Sequence, residues 1–125
     1  MPSGRCECGS VKFEVKAVRK TVTVCHCSQC RRTSGHLWAS TVAPLRDLHF
    51  IDDASLAWFQ SSESAKRGFC NTCGASLFYV TKADPDCIAI AAGCLEDVTV
   101  LNVTKHIFVK DKADYYQICD GAEQL

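Results

Sequence analysis

The sequence predicts an antiparallel, all-β protein. Three observations carry that expectation. Apolar residues recur with period two in short runs, turn-forming residues separate the runs, and no stretch sustains a helical period. In chain order, Val11-Lys12-Phe13-Glu14-Val15-Lys16 alternates apolar and charged side chains, as a half-buried strand does. Thr21-Val22-Thr23-Val24 is β-branched throughout, which suits a pleated surface. Leu37-Trp38-Ala39-Ser40-Thr41-Val42 and Leu56-Ala57-Trp58-Phe59 read as short strands. So do Ser76-Leu77-Phe78-Tyr79-Val80, Cys87-Ile88-Ala89-Ile90-Ala91 and His106-Ile107-Phe108-Val109. Between them fall Gly35, Asp52-Asp53, Ser61-Ser62, Gly74, Asp84-Pro85-Asp86 and Gly93. A parallel sheet of βαβ units is disfavoured, because no amphipathic helix lies between the strands.

The chain has 125 residues, the size of one domain, so residues 1–125 are expected to fold as a unit. Apolar types make up 47% of it, enough for a core that a disordered chain could not build. The formal net charge is zero. That balance provides no field to grip nucleic acid or an anionic membrane. No apolar run reaches the length of a membrane span. The residues ahead of Cys6 lack the apolar centre of a secretion signal, so the expected compartment is the reducing cytoplasm.

Ten cysteines in such a chain call for either a disulfide framework or metal. Their clustering and the expected compartment favour metal. Three groups stand out: Cys6-Glu7-Cys8-Gly9, Cys25-His26-Cys27-Ser28-Gln29-Cys30, and Cys70-Asn71-Thr72-Cys73-Gly74. A structural zinc wants four ligands in a tetrahedron. Seven cysteines do not divide into two such shells. In the first and third groups the second cysteine is followed by glycine, which can take positive φ and turn backbone N–H groups toward the sulfurs. Cys6, Cys8, Cys70 and Cys73 are therefore expected to close one structural zinc site. Cys25, Cys27 and Cys30 would then hold a second, catalytic zinc with one position open. The alternative is that this trio stays metal-free, or binds zinc only transiently.

Zinc held by three thiolates is a weak Lewis acid, so plain hydrolysis is disfavoured. A thiol substrate fits the open position, and its thiolate would attack a small carbonyl compound. Arg31 and Arg32 adjoin the trio; they are either contacts for the carboxylates of that thiol or a solvated basic turn. His26 is expected to point away from the sulfurs that flank it, and His106 to be a satisfied core or rim residue. Cys87, Cys94 and Cys119 read as buried thiols, and Trp38, Trp58, Phe69 and Phe78 as core.

The ordered set of motifs resembles the glutathione-dependent formaldehyde-activating family, which also includes centromere protein V. The resemblance runs from Gly4-Arg5-Cys6-Glu7-Cys8-Gly9 through Cys25-His26-Cys27-Ser28-Gln29-Cys30-Arg31-Arg32 and Gly68-Phe69-Cys70-Asn71-Thr72-Cys73-Gly74. It continues in Ala92-Gly93-Cys94-Leu95-Glu96-Asp97 and ends with His106-Ile107-Phe108-Val109, Lys112-Ala113 and Asp120-Gly121. It implies a zinc-stabilised, antiparallel Mss4-like fold (a β-tent), with the same division into four structural and three catalytic cysteines. The implied activity is that of a carbon–sulfur lyase that joins glutathione and formaldehyde to S-hydroxymethylglutathione. The competing expectation is a non-catalytic zinc module that binds a partner protein or senses thiols or metal.

Overall fold

The computed structural model describes residues 2–97 and 100–125. Eleven strands and one α-helix are formed among them. Strands β1 (Ser3–Arg5), β2 (Lys12–Val15) and β5 (Leu48–Asp52) make a small antiparallel sheet in the order β1-β2-β5. The larger sheet takes β3 (Thr21–Cys25), β4 (Trp38–Pro44), β6 (Leu56–Gln60), β7 (Ala65–Cys70) and β8 (Ser76–Thr81). It is completed by β9 (Cys87–Ala91), β10 (Asn102–Ile107) and β11 (Glu123–Gln124). Its order is β11-β10-β3-β4-β9-β8-β7-β6.

The all-β expectation holds, with one refinement. The run from β3 to β6 is antiparallel, but β10 lies parallel to β3, with Ile107 opposite Cys25, and β11 parallel to β10. Parallel neighbours need a long crossover, and a pairing across most of the chain leaves no local mark in the sequence. The strand expected at His106–Val109 ends at Ile107. Phe108 takes a left-handed φ of 54° and Val109–Asp111 forms a 3-10 turn. A bulky residue at positive φ is strained, and it turns the chain out of the sheet.

The core lies between the two sheets. Phe13, Val11 and Val15 meet Leu77, Phe78, Ile88 and Ile90, all fully or almost fully buried. The rings of Phe13 and Phe78 meet edge to face at 5.2 Å. Cys6 and Cys70 belong to this same core. Trp58 departs from expectation: it is partly exposed, with Lys66 Nζ 4.5 Å from the ring centroid. Among the described residues no helix is long and apolar enough to cross a membrane.

Helix α1 (Ser28–Ser34) was not anticipated. Seven residues are under two turns, too short to show a period. Its N-cap is Cys27, whose sulfur accepts the N–H of Cys30 at 3.3 Å. A thiol thus takes the place usually held by Ser, Thr, Asp or Asn. Gly35, at φ 90°, ends the helix by donating its N–H to the Arg31 carbonyl.

Candidate metal centres and the adjoining cavity

Four sulfurs converge where the loop after β1 meets the end of β7. Those of Cys6, Cys8, Cys70 and Cys73 all lie within 4.8 Å of one another. Cys6 and Cys8 stand 3.7 Å apart, and Cys8 and Cys70 3.8 Å. A tetrahedron with Zn–S bonds of about 2.3 Å has sulfurs about 3.8 Å apart, so both separations match those of zinc ligands and the group could hold the ion. Both following glycines take the expected positive φ, 81° at Gly9 and 80° at Gly74. The N–H of Val11 points at Cys6 Sγ at 3.2 Å, and those of Thr72 and Cys73 point at Cys70 Sγ at 3.4 and 3.5 Å. Backbone N–H groups of Cys8 and Ala75 pull the Cys73 thiol down to about 6. These donors offset the charge that four thiolates would gather.

The second cluster lies across the larger sheet. Cys25 closes β3, Cys27 caps α1, and Cys30 sits in its first turn. Their three sulfurs again lie within 4.8 Å of one another. The hydrogen bond with Cys25, and then Arg67, pull the Cys30 thiol down to about 6, while the same bond and burial push Cys25 up. Cys30 is thereby favoured as a thiolate, the form in which a cysteine binds a metal. All ten cysteines are unbridged, so neither cluster is a disulfide.

Both clusters border a hollow: of the first, Cys6 alone lines one of about 280 Å³, whereas the second contributes all its cysteines to a larger one. This larger hollow, of about 400 Å³, is lined by the trio together with Trp38, Arg67, Tyr79, Ile107 and Phe108. That volume suits a small molecule. Ser28 and Gln29 line it from the same helix, but Arg31 and Arg32 do not. Arg32 is exposed, and Arg31 is half-buried with its Nε lacking a partner. Trp38, expected in the core, is buried and also forms cavity wall.

Arg67 was missed by sequence reasoning. It is 6% exposed, with Nη2 3.5 Å from Cys30 Sγ. Its guanidinium carbon lies 5.0 Å from the Tyr79 ring centroid and 5.9 Å from that of Trp38. Arg67 stands three residues before Cys70 on β7, and an odd offset on a strand points the two side chains to opposite faces. One strand therefore serves both clusters. The only signal was an arginine among the sheet-forming residues before the Cys70 group, and by itself that reads as an exposed position.

Behind the three-sulfur cluster runs a polar chain. The Asp120 carboxylate accepts from His106 Nε2 at 2.9 Å, and His106 Nδ1 faces His26 Nε2 at 2.8 Å. His26 Nδ1 meets the Tyr116 hydroxyl. One set of neutral tautomers satisfies every atom: Tyr116 donates to His26, His26 to His106, and His106 to Asp120. His26 is buried and not among the residues that line the cavity, and His106 is a satisfied buried residue. Tyr116 and Asp120 as their partners had no local signal. Among the remaining thiols, Cys94 is half-buried rather than buried, and burial pushes its thiol up to about 11. Cys87 is half-buried and Cys119 exposed, contrary to expectation.

Fold and site together define a small cysteine-rich β protein with two candidate metal centres, one of them beside the 400 Å³ cavity. A model of the family described as glutathione-dependent formaldehyde-activating enzyme matches residues 1–111. The chain belongs to that family. It is 21% identical over 121 residues to an uncharacterized lyase of Schizosaccharomyces pombe, a match covering 94% of this chain and 85% of that protein. It is also similar to the crystal structure of a Rhodobacter sphaeroides protein, with a TM-score of 0.66 and 30% identity over 82% of this chain and 99% of that one.

Proposed function

We propose that the chain is a zinc-dependent carbon–sulfur lyase that adds a thiol such as glutathione to formaldehyde or a similar small aldehyde. The observation that carries this reading is the contrast in surroundings: all three members of the three-sulfur cluster line the 400 Å³ cavity with Arg67 and aromatic walls, whereas of the four-sulfur cluster Cys6 alone borders a smaller hollow. Family membership and the lyase in fission yeast support the reaction class.

In this reading Cys6, Cys8, Cys70 and Cys73 hold a structural zinc, and Cys25, Cys27 and Cys30 hold a catalytic one. Zinc bound by the trio would keep a substrate thiol as its thiolate near neutral pH. The chain's own residues supply the rest. Trp38, Tyr79, Ile107 and Phe108 give the cavity an apolar wall. Ser28, Ser40 and Gln29 offer hydrogen bonds to the thiol compound. Arg31 and Arg32 are left for the carboxylates of a thiol long enough to extend beyond the cavity. The substrate sulfur forms a bond to the carbonyl carbon, and the oxygen gains a proton. The reverse reaction breaks that carbon–sulfur bond.

The test is exchange between free and hydroxymethylated glutathione, followed by NMR in the presence of formaldehyde. The zinc-loaded protein should accelerate it above the uncatalysed rate. Cys27→Ser should return the rate to background while the protein stays folded. A well-folded Cys27→Ser protein with full activity would remove the trio from the chemistry. A wild type that does nothing to the exchange would favour the non-catalytic zinc module.

A further inference from the structure

Among the described residues, four buried side-chain nitrogens lack a hydrogen-bond acceptor, and three of them belong to cavity-lining residues: Nε and Nη1 of Arg67 and Nε1 of Trp38. A buried charged donor left unpaired is costly, because it loses water and gains nothing in return. One group of Arg67, Nη2, is spoken for by Cys30 Sγ at 3.5 Å. Stacking against Tyr79 and Trp38 fixes the plane of the guanidinium but satisfies none of its remaining N–H groups. Arg67 is also the one basic residue lining this cavity. The two free donors of Arg67 belong to the guanidinium whose third nitrogen already touches the sulfur cluster.

We infer that Arg67, helped by the Trp38 indole N–H, binds the oxygen of the aldehyde in this cavity and stabilises the negative charge that develops on it. This rests on the thiol-addition reading above. The electron count is simple. A thiolate lone pair forms the sulfur–carbon bond, and the carbonyl π pair moves onto oxygen beside Arg67. A proton from water, replacing the one the thiol released, then completes the hydroxymethyl thioether. Nothing is oxidised or reduced. Fixed donors aimed at a developing oxyanion in a site shielded from water are a large source of rate. Arg67 suits this oxygen better than the carboxylates of a glutathione-like thiol, which lie many bonds from its sulfur.

The experiment compares wild type with Arg67→Met and Arg67→Lys. Zinc content and melting temperature are measured first, since a residue that only balances the charge of the sulfur cluster would reveal itself there. Turnover and the binding of formate, a one-carbon oxyanion probe, follow. With zinc content retained, Arg67→Met should lose on the order of 10²–10³ in kcat, with a much smaller change in KM for the thiol. Arg67→Lys, which keeps the charge but not the fork, should recover part of that loss. Formate should compete with formaldehyde in the wild type and bind at least tenfold more weakly to Arg67→Met. Wild-type turnover with unchanged kcat in a zinc-replete Arg67→Met protein would overturn the inference alone. If the methionine variant fails to fold, formate that inhibits the wild type without competing against formaldehyde would overturn it equally. A wild type without turnover would sink the enzymatic reading; Arg67 would then be judged on formate binding alone, and equal binding by both proteins would refute it.

Discussion

The two cysteine clusters use the same ligand and differ in almost everything around it. The four-sulfur group draws its members from two loops about sixty residues apart in sequence and ties the small sheet to the large one. Cys6 and Cys70 are buried in the principal core, and main-chain N–H groups supply the neutralising donors. The three-sulfur group is local, spanning six positions at the start of one short helix. Besides the Cys30 N–H on Cys27 Sγ, it has a side-chain donor, Arg67, brought in by β7. Backbone donors come with the turn and cannot be mutated away. A side-chain donor can be chosen for chemistry.

The sharpest way to break this comparison is Cys70→Ser. Cys70 has no solvent exposure, and the apparent binding energy of a structural zinc, about 10–16 kcal/mol, rivals the whole net stability of a domain. The variant should fail to fold, as circular dichroism would show; a cooperative melt near that of the wild type would refute a structural role. A smaller effect is expected from graded chelation. One zinc should leave first, taking the thiol-dependent activity with it while the spectrum stays native. The second should leave only as the protein unfolds. Loss of both in one step, followed by elemental analysis, would erase the distinction between the clusters.

The division into four and three sulfurs was legible because it was written locally, in the Cys-Gly steps at Cys8-Gly9 and Cys73-Gly74 and the absence of one after Cys30. The strands around Phe13, Val22 and Ile88 were legible because apolar alternation is a local property. Strand β7 was not, since Ala65-Lys66-Arg67-Gly68 places an arginine and a glycine where a buried strand is expected to carry apolar residues. Arg67 acquires its meaning only from Cys30, Trp38 and Tyr79, which come from three other elements. The same holds for Tyr116, whose partner His26 follows β3, 90 residues away in sequence. Composition and spacing reveal ligands that share a loop; they are silent about groups that meet only through sheet order.

Glycines at the two clusters offer a finer comparison. Gly74 and Gly35 both have left-handed φ, 80° and 90°, with open space where a Cβ would stand. Alanine at either should therefore cost about 1–2 kcal/mol of conformational energy without a clash. Gly93→Ala, in open space and without positive φ, is the neutral control. The consequences should divide by cluster. Gly74→Ala should lower the melting temperature of the zinc-loaded protein. Gly35→Ala, at the end of the helix that carries Cys30, should chiefly speed release of the first zinc to a chelator. Identical release profiles for the two variants would mean that the clusters are not independent.

The smallest effect concerns the carboxylate at the end of the polar chain behind the three-sulfur cluster. The Ala122 N–H and His106 both favour the charged form of Asp120, and hold it below its ordinary value of 3.8. A carboxylate with a depressed native pKa adds stability that is present above its unfolded value and lost as pH falls through the native one. Asp120→Asn should thus melt slightly below wild type at neutral pH. The gap should stay constant down to about pH 5, then close as the pH falls below 3.8. Both proteins carry the same sulfur clusters, so the acid lability of the thiolates cancels in the difference. Because the Asp120 side chain is 45% exposed, water screens the pair and the gap will be modest. A gap that widened toward acid pH would contradict the arrangement, for it would mean that the charged carboxylate opposes the fold rather than anchoring His106.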